Sequence, residues 1–134
     1  MTGLLDTSMV VRYLTGDPPD LADRAAAIID EEDGLQLTDV VLAETAYVLS
    51  SVYKVPRETI VDYLILMLQK QNIEVFGLDK GVVLRALLLC RPSGRVAYAD
   101  ALVWAAAQWT EERVVYSLDE RFPAEGLDVR NGRS

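Results

Sequence analysis

Four acidic side chains stand in apolar or hydroxyl-bearing surroundings from which they can be aimed at one place. Asp6 ends the run Leu4-Leu5-Asp6-Thr7-Ser8, Glu44 lies within Val41-Leu42-Ala43-Glu44-Thr45-Ala46, Asp100 within Tyr98-Ala99-Asp100-Ala101, and Asp119 within Tyr116-Ser117-Leu118-Asp119. Two unit charges about 4 Å apart repel by roughly 4 kcal/mol at an effective dielectric of 20. Several carboxylates gathered together would strain a fold worth only about 5–15 kcal/mol in total. Either some of them hold a proton or a cation sits among them. An all-oxygen donor set favours Mg²⁺ or Mn²⁺ over zinc.

Each acid also has a plainer use. Asp6, followed by Thr7 and Ser8, can cap a first helix, and Asp100 suits the first turn of another. Asp119 can be a turn acid. Glu44 is harder to dismiss: it falls on the apolar stripe expected to face the core, where an unpaired charge is costly. Asp39 and Asp79 read as helix caps.

The chain has no histidine, which removes Ser-His-Asp hydrolysis, histidine-dependent RNA cleavage and nearly all zinc enzyme designs. Its single cysteine, Cys90, makes no internal disulfide, has no histidine to activate it, and ends an apolar run, so it reads as core. The net charge of −8 argues against a generic nucleic-acid coat. It leaves a nuclease open, because a bound ion offsets its own carboxylates. No apolar run approaches the roughly 20 residues that span a bilayer, and the N-terminus lacks the features of a signal peptide. A cytoplasmic protein is expected, with residues 1–134 forming a single domain.

The elements that must position the acids follow from pattern and punctuation. Leu4-Leu5 reads as a first strand delivering Asp6, and Ser8 to Leu14 as a helix stopped by Gly16-Asp17-Pro18-Pro19. Asp20 to Glu31 is an Ala-rich helix closed by Gly34, with Leu21, Ala25, Ile28 and Ile29 on one face. Leu35-Gln36-Leu37 forms a second strand. Thr38 or Asp39 caps a helix to about Tyr53, with Val40, Val41, Ala43, Tyr47, Val48 and Val52 as its apolar stripe. Pro56 opens a fourth helix at its first position. Ile73 to Phe76 is a third strand, and Asp79 caps a fifth helix that ends near Pro92. Tyr98 to Trp109 is a sixth helix, Arg113 to Tyr116 a fourth strand, and Leu127 to Arg130 a weaker fifth. Strands alternating with helices imply a mostly parallel α/β sheet, whose sites lie beyond the carboxyl ends of its strands.

Taken together, Leu4-Leu5-Asp6-Thr7-Ser8, Ala43-Glu44-Thr45, Tyr98-Ala99-Asp100-Ala101-Leu102 and Tyr116-Ser117-Leu118-Asp119-Glu120-Arg121-Phe122 resemble the PIN-domain family over nearly the whole chain. The likeness is greatest to VapC-type toxins of prokaryotic toxin-antitoxin pairs. It implies a three-layer fold with a central five-stranded parallel sheet flanked by helices, and an acidic pocket of Asp6, Glu44, Asp100 and Asp119 that binds Mg²⁺ or Mn²⁺. It also implies that Ser117 is the hydroxyl commonly preceding the last acid, and that Thr7 orients Asp6 or a metal-bound water. The implied activity is endoribonucleolytic, on a structured RNA such as tRNA or rRNA, leaving a 5′ phosphate and a 3′ hydroxyl. Implied partners are an antitoxin whose C-terminal segment wraps the toxin and a second copy in a homodimer. Leu21, Ile28, Tyr47 and Tyr53 could line either contact, or simply pack in the core.

Arg12, Arg85, Arg91, Arg95 and Arg121 are candidates to grip RNA, against a plainer role as solvated surface. Nearer alternatives are a housekeeping RNA-processing PIN nuclease and a PIN-like module that binds without cutting. A phosphoacceptor receiver domain fits worse, since Asp6 is not paired with a neighbouring acid and no Lys follows Lys80.

Overall fold

A computed structural model describes residues 2–132. Met1, Arg133 and Ser134, at the ends of the expected domain, lie outside the described residues. The chain alternates short strands with helices in the order β1 (Gly3–Leu4), α1 (Thr7–Thr15), α2 (Pro19–Glu31), β2 (Leu35–Leu37), α3 (Asp39–Ser51), α4 (Arg57–Leu68), β3 (Ile73–Val75), α5 (Lys80–Cys90), α6 (Tyr98–Gln108), β4 (Val114–Tyr116) and β5 (Asp128–Arg130).

Helix starts follow from side chains that satisfy the orphan N–H groups of a first turn. Asp6 caps α1, Thr38 accepts from the N–H of Val41 in α3, and Asp79 accepts from that of Val82 in α5. Gly16, at φ 70°, ends α1 in the left-handed region that favours glycine. Pro56 is the N-cap of α4 rather than its first helical residue, and α2 ends at its C-cap Glu32, before Gly34.

β2 lies between β1 and β3, and both pairings are parallel. The register sets Leu35 opposite Ile73 and Leu37 opposite Val75, all four buried, while between them Gln36 is half-buried and Glu74 exposed. β4 and β5 pair in parallel as a separate ribbon. The α/β class with parallel pairing therefore holds, but the expected single five-stranded sheet is instead a three-stranded and a two-stranded sheet. β1 has only two residues before the chain turns into the cap of α1 and pairs with β2, while β4 pairs with β5, so among the described residues no backbone ladder joins the two sheets.

Helices α1, α3, α4, α5 and α6 pack in a continuous series over a core that includes Leu37, Leu42, Leu49, Ile60, Leu64, Met67 and Leu87. Cys90 is fully buried within it, as its sequence context predicts. No helix among the described residues is long and apolar enough to cross a membrane.

Candidate active site

Asp6 leaves β1 and enters α1 as its N-cap. Its Oδ1 accepts the N–H of Thr7 at 2.8 Å and its Oδ2 accepts the Ser8 hydroxyl at 3.0 Å. Those two donors fix the carboxylate while leaving it exposed, with lone pairs facing solvent. Thr7, itself buried, thus orients Asp6 through its backbone.

Glu44 approaches from α3. The expectation that it lies on the buried stripe is corrected: Glu44 is exposed, as are Val40 (69%), Tyr47 (68%) and Val52. The face that α3 buries is Leu42, Thr45, Ala46 and Leu49, at helical spacing. The helix is apolar on nearly every side, so tertiary packing rather than local pattern sets its inward face, with Leu42, Thr45, Ala46 and Leu49 inside and Glu44 outward.

That rotation gives Glu44 its place. A cavity of about 400 Å³ is lined by Asp6, Thr7, Ser8, Val11 and Arg12 from α1 and its cap, and by Glu44, Val48, Val52 and Tyr53 from α3 and just beyond it. Two acids 38 positions apart in the chain share one hollow. Arg12 is its one lining cation, and Nη1 donates to the Tyr53 hydroxyl and to the Asp17 carbonyl, each at 3.3 Å.

The other two acids stand on neighbouring elements. Asp100 is half-buried in the first turn of α6, a helix that packs on α3. Burial pushes the Cys90 thiol up to about 11; the Arg57 charge opposes this, and the Asp100 carboxylate adds to it. Asp119 is exposed in the turn after β4, where its N–H donates to Ser117 Oγ at 3.1 Å and its Oδ1 accepts the N–H of Arg121 at 2.9 Å. Ser117 faces a separate hollow with Tyr116, Leu118, Arg130, Asn131 and Gly132.

Among the described residues, no three acidic or cysteine side chains converge closely enough to hold a metal ion. The donor chemistry fits a hard divalent cation, since carboxylates and a hydroxyl are all oxygen ligands. The geometry gathers that chemistry in part, bringing Asp6 and Glu44 to one cavity. Of the candidate RNA-gripping arginines, Arg12 lines that cavity. Arg91 instead donates through Nε and Nη2 to the two carboxylate oxygens of Asp62, at 2.8 and 2.9 Å, and Arg85, Arg91, Arg95 and Arg121 are all exposed.

The PIN domain family matches residues 3–125, a span that includes all four acids. The chain belongs to the PIN domain family. No curated protein and no solved structure matches it. As a PIN domain it has a nuclease-like fold, in a family whose members are generally metal-dependent nucleases. Tyr53 and Asp17 are neighbours of this site that sequence reasoning did not tie to Arg12. Their side chains meet at 3.5 Å only because the chain beyond α3 returns to the end of α1, a tertiary contact with no local signal.

Proposed function

We propose that this PIN domain is an endoribonuclease dependent on Mg²⁺ or Mn²⁺, of the VapC toxin type, cutting a specific structured RNA such as tRNA or rRNA. The observation that carries the reading is the cavity shared by Asp6 and Glu44 with Arg12 on its wall, in a chain that matches the family over both acids. Asp6 and Glu44 would hold the ion, joined by Asp100 and Asp119. A bound divalent ion supplies an acidified water and stabilises the charge that builds on a phosphodiester under attack. Thr7 and Ser8 hold Asp6 in one orientation, and Ser117 fixes the backbone of Asp119. Arg12 would take an RNA phosphate, with Val48, Val52 and Tyr53 as an apolar wall beside it.

Two surfaces support the partners proposed with this activity. A cavity of about 290 Å³ between α1 and α2 combines Arg12 and Arg24 with Met9, Leu21 and Ile28, chemistry suited to an acidic, apolar antitoxin segment. The apolar hollow between α3 and α6, with Val40 and Val103 exposed, suits a second copy of the chain.

Purified protein incubated with total cellular RNA and Mg²⁺ or Mn²⁺, beside EDTA and the Asp100→Asn variant, tests the reading, with fragment ends sequenced. Discrete cuts that both controls abolish are expected. Intact RNA from protein that binds Mn²⁺ by calorimetry would overturn cleavage in favour of a PIN-like module that binds without cutting.

A further inference from the structure

We infer that Arg57 is a positioning residue for Asp100: it pins the connection between α5 and α6, and with it the first turn of α6. The inference rests on the proposed role of Asp100 at the metal site.

Arg57 is the first residue of α4 and is half-buried. Its Nη1 donates to the carbonyl of Cys90, the last residue of α5, at 3.0 Å, and to the carbonyl of Val96 at 3.2 Å. One guanidinium nitrogen therefore ties together both ends of the segment from Arg91 to Ala97. Its Cζ stands 4.5 Å from the centroid of the Tyr98 ring, and Tyr98 opens α6 two residues before Asp100. Between those anchors the chain crosses the guanidinium closely: a Cβ added at Gly94 would lie 3.7 Å from Nη2.

The segment is also held by Arg91, which donates through Nε and Nη2 to Asp62, by the buried Val96, by the N–H of Arg95 on Ser93 Oγ and by the Cys90 thiol on the Ala97 carbonyl, but of these anchors Arg57 alone also touches Tyr98. Residues 91–95 are exposed, and Ala97, the N-cap of α6, offers no side chain to the first turn. Among the described residues Arg57 has no carboxylate partner, so its donors go to carbonyls and its flat face to an aromatic ring. That use exploits the planar, multidentate character of arginine, which lysine reproduces only in part. The result is a brace from α4 to the start of the helix that carries Asp100.

Four variants, Arg57→Met, Arg57→Lys, Asp79→Ala and Asp100→Asn, separate positioning from stability. Each is measured for Mn²⁺ affinity by calorimetry, for melting temperature, and for kcat and KM on a labelled RNA containing a site cut in total RNA. Arg57→Met is expected to weaken Mn²⁺ binding and lower kcat by about tenfold each, the low end for loss of a residue supporting a metal ligand, with KM within about twofold. Arg57→Lys should recover only part of both, because a shorter ammonium can donate to the carbonyls but loses the planar guanidinium that spans them and stacks on Tyr98. Asp79→Ala destabilises the molecule by removing the cap of α5 and should leave Mn²⁺ affinity unchanged. Wild-type affinity and kcat in folded Arg57→Met, beside an inactive Asp100→Asn, would overturn the brace alone. An Asp100→Asn variant with full activity and affinity would overturn the site assignment and the brace with it. Should Arg57→Met fail to fold, Arg57→Lys carries the same readouts: an unshifted Mn²⁺ affinity in it overturns the inference.

Discussion

The N–H of Thr7 donates to Asp6 Oδ1 at 2.8 Å, so the carboxylate proposed for the metal is also the N-cap of α1. Folding and chemistry ask different things of this side chain. Capping needs an oxygen acceptor, which asparagine supplies nearly as well as aspartate; a divalent ion needs the negative charge. Asp6→Asn should therefore lose RNA cleavage while its melting temperature stays close to wild type. Asp6→Ala should lose cleavage and also about 1 kcal/mol of stability. Equal melting temperatures for the two variants would show that the cap contributes nothing, and activity in Asp6→Asn would remove Asp6 from the metal site.

Arg12 lines the cavity that Asp6 and Glu44 share, and it donates to the Tyr53 hydroxyl and the Asp17 carbonyl there. A phosphate contact of this kind contributes binding and salt dependence rather than chemistry. Arg12→Gln, which keeps donors for Tyr53, should raise KM several-fold and leave kcat alone. It should also make the slope of log affinity against log salt shallower by about 0.7–1. An unchanged slope would make Arg12 a wall of the cavity and not a phosphate ligand.

Much of the framework was legible because its signals are local. Thr38 and Asp79 precede their helices as caps, and Gly16 stops α1 where a left-handed residue is needed. The face of α3 was not legible: Val40, Val41, Ala43, Tyr47 and Val48 make an apolar stripe as convincing as Leu42, Ala46 and Leu49, and only tertiary packing chooses between them. The order of the acids could be read, but not which of them share a cavity. The division of the strands into sheets of three and two rests on long-range backbone pairing, which leaves no local signal in the sequence. Arg57 gave no signal at all, since its carbonyl partners lie 33 and 39 residues away.

Asp30 receives the Tyr13 hydroxyl at 2.6 Å and pairs with Lys70 at 2.9 Å, joining α1, α2 and the end of α4. The Tyr13 hydrogen bond, followed by that from Lys70, holds the Asp30 carboxyl below its usual range. A carboxylate with a depressed folded-state pKa adds stability above its unfolded pKa, near 3.9, and loses it as pH falls through the folded value. Bonding to the same carboxylate raises Tyr13 and Lys70, whose contributions are present below their unfolded values and are lost at alkaline pH. The cluster is solvent-accessible, so its contribution is about 0.5 kcal/mol. Asp30→Asn should melt slightly below wild type at pH 7, and the two should converge as pH falls from about 4 toward 2. A gap that stays constant across that range would show that the ionised carboxylate is not the source.

Thr45 is fully buried on α3, beside Glu44, and its hydroxyl has no hydrogen-bond partner among the described residues. A buried, unsatisfied hydroxyl costs about 1–3 kcal/mol, whereas a methyl group of the same shape has nothing to desolvate. Valine keeps the branched Cβ and the rotamer restriction of threonine in a helix. Thr45→Val should therefore stabilise the protein by about 1 kcal/mol, raising the melting temperature by roughly 3–6 °C. A fall in melting temperature would show that the hydroxyl is satisfied in solution by a buried water. If the stabilised variant also lost Mn²⁺ affinity, the hydroxyl would belong to the support of Glu44, and its unmet bond would be a cost the fold bears for the site.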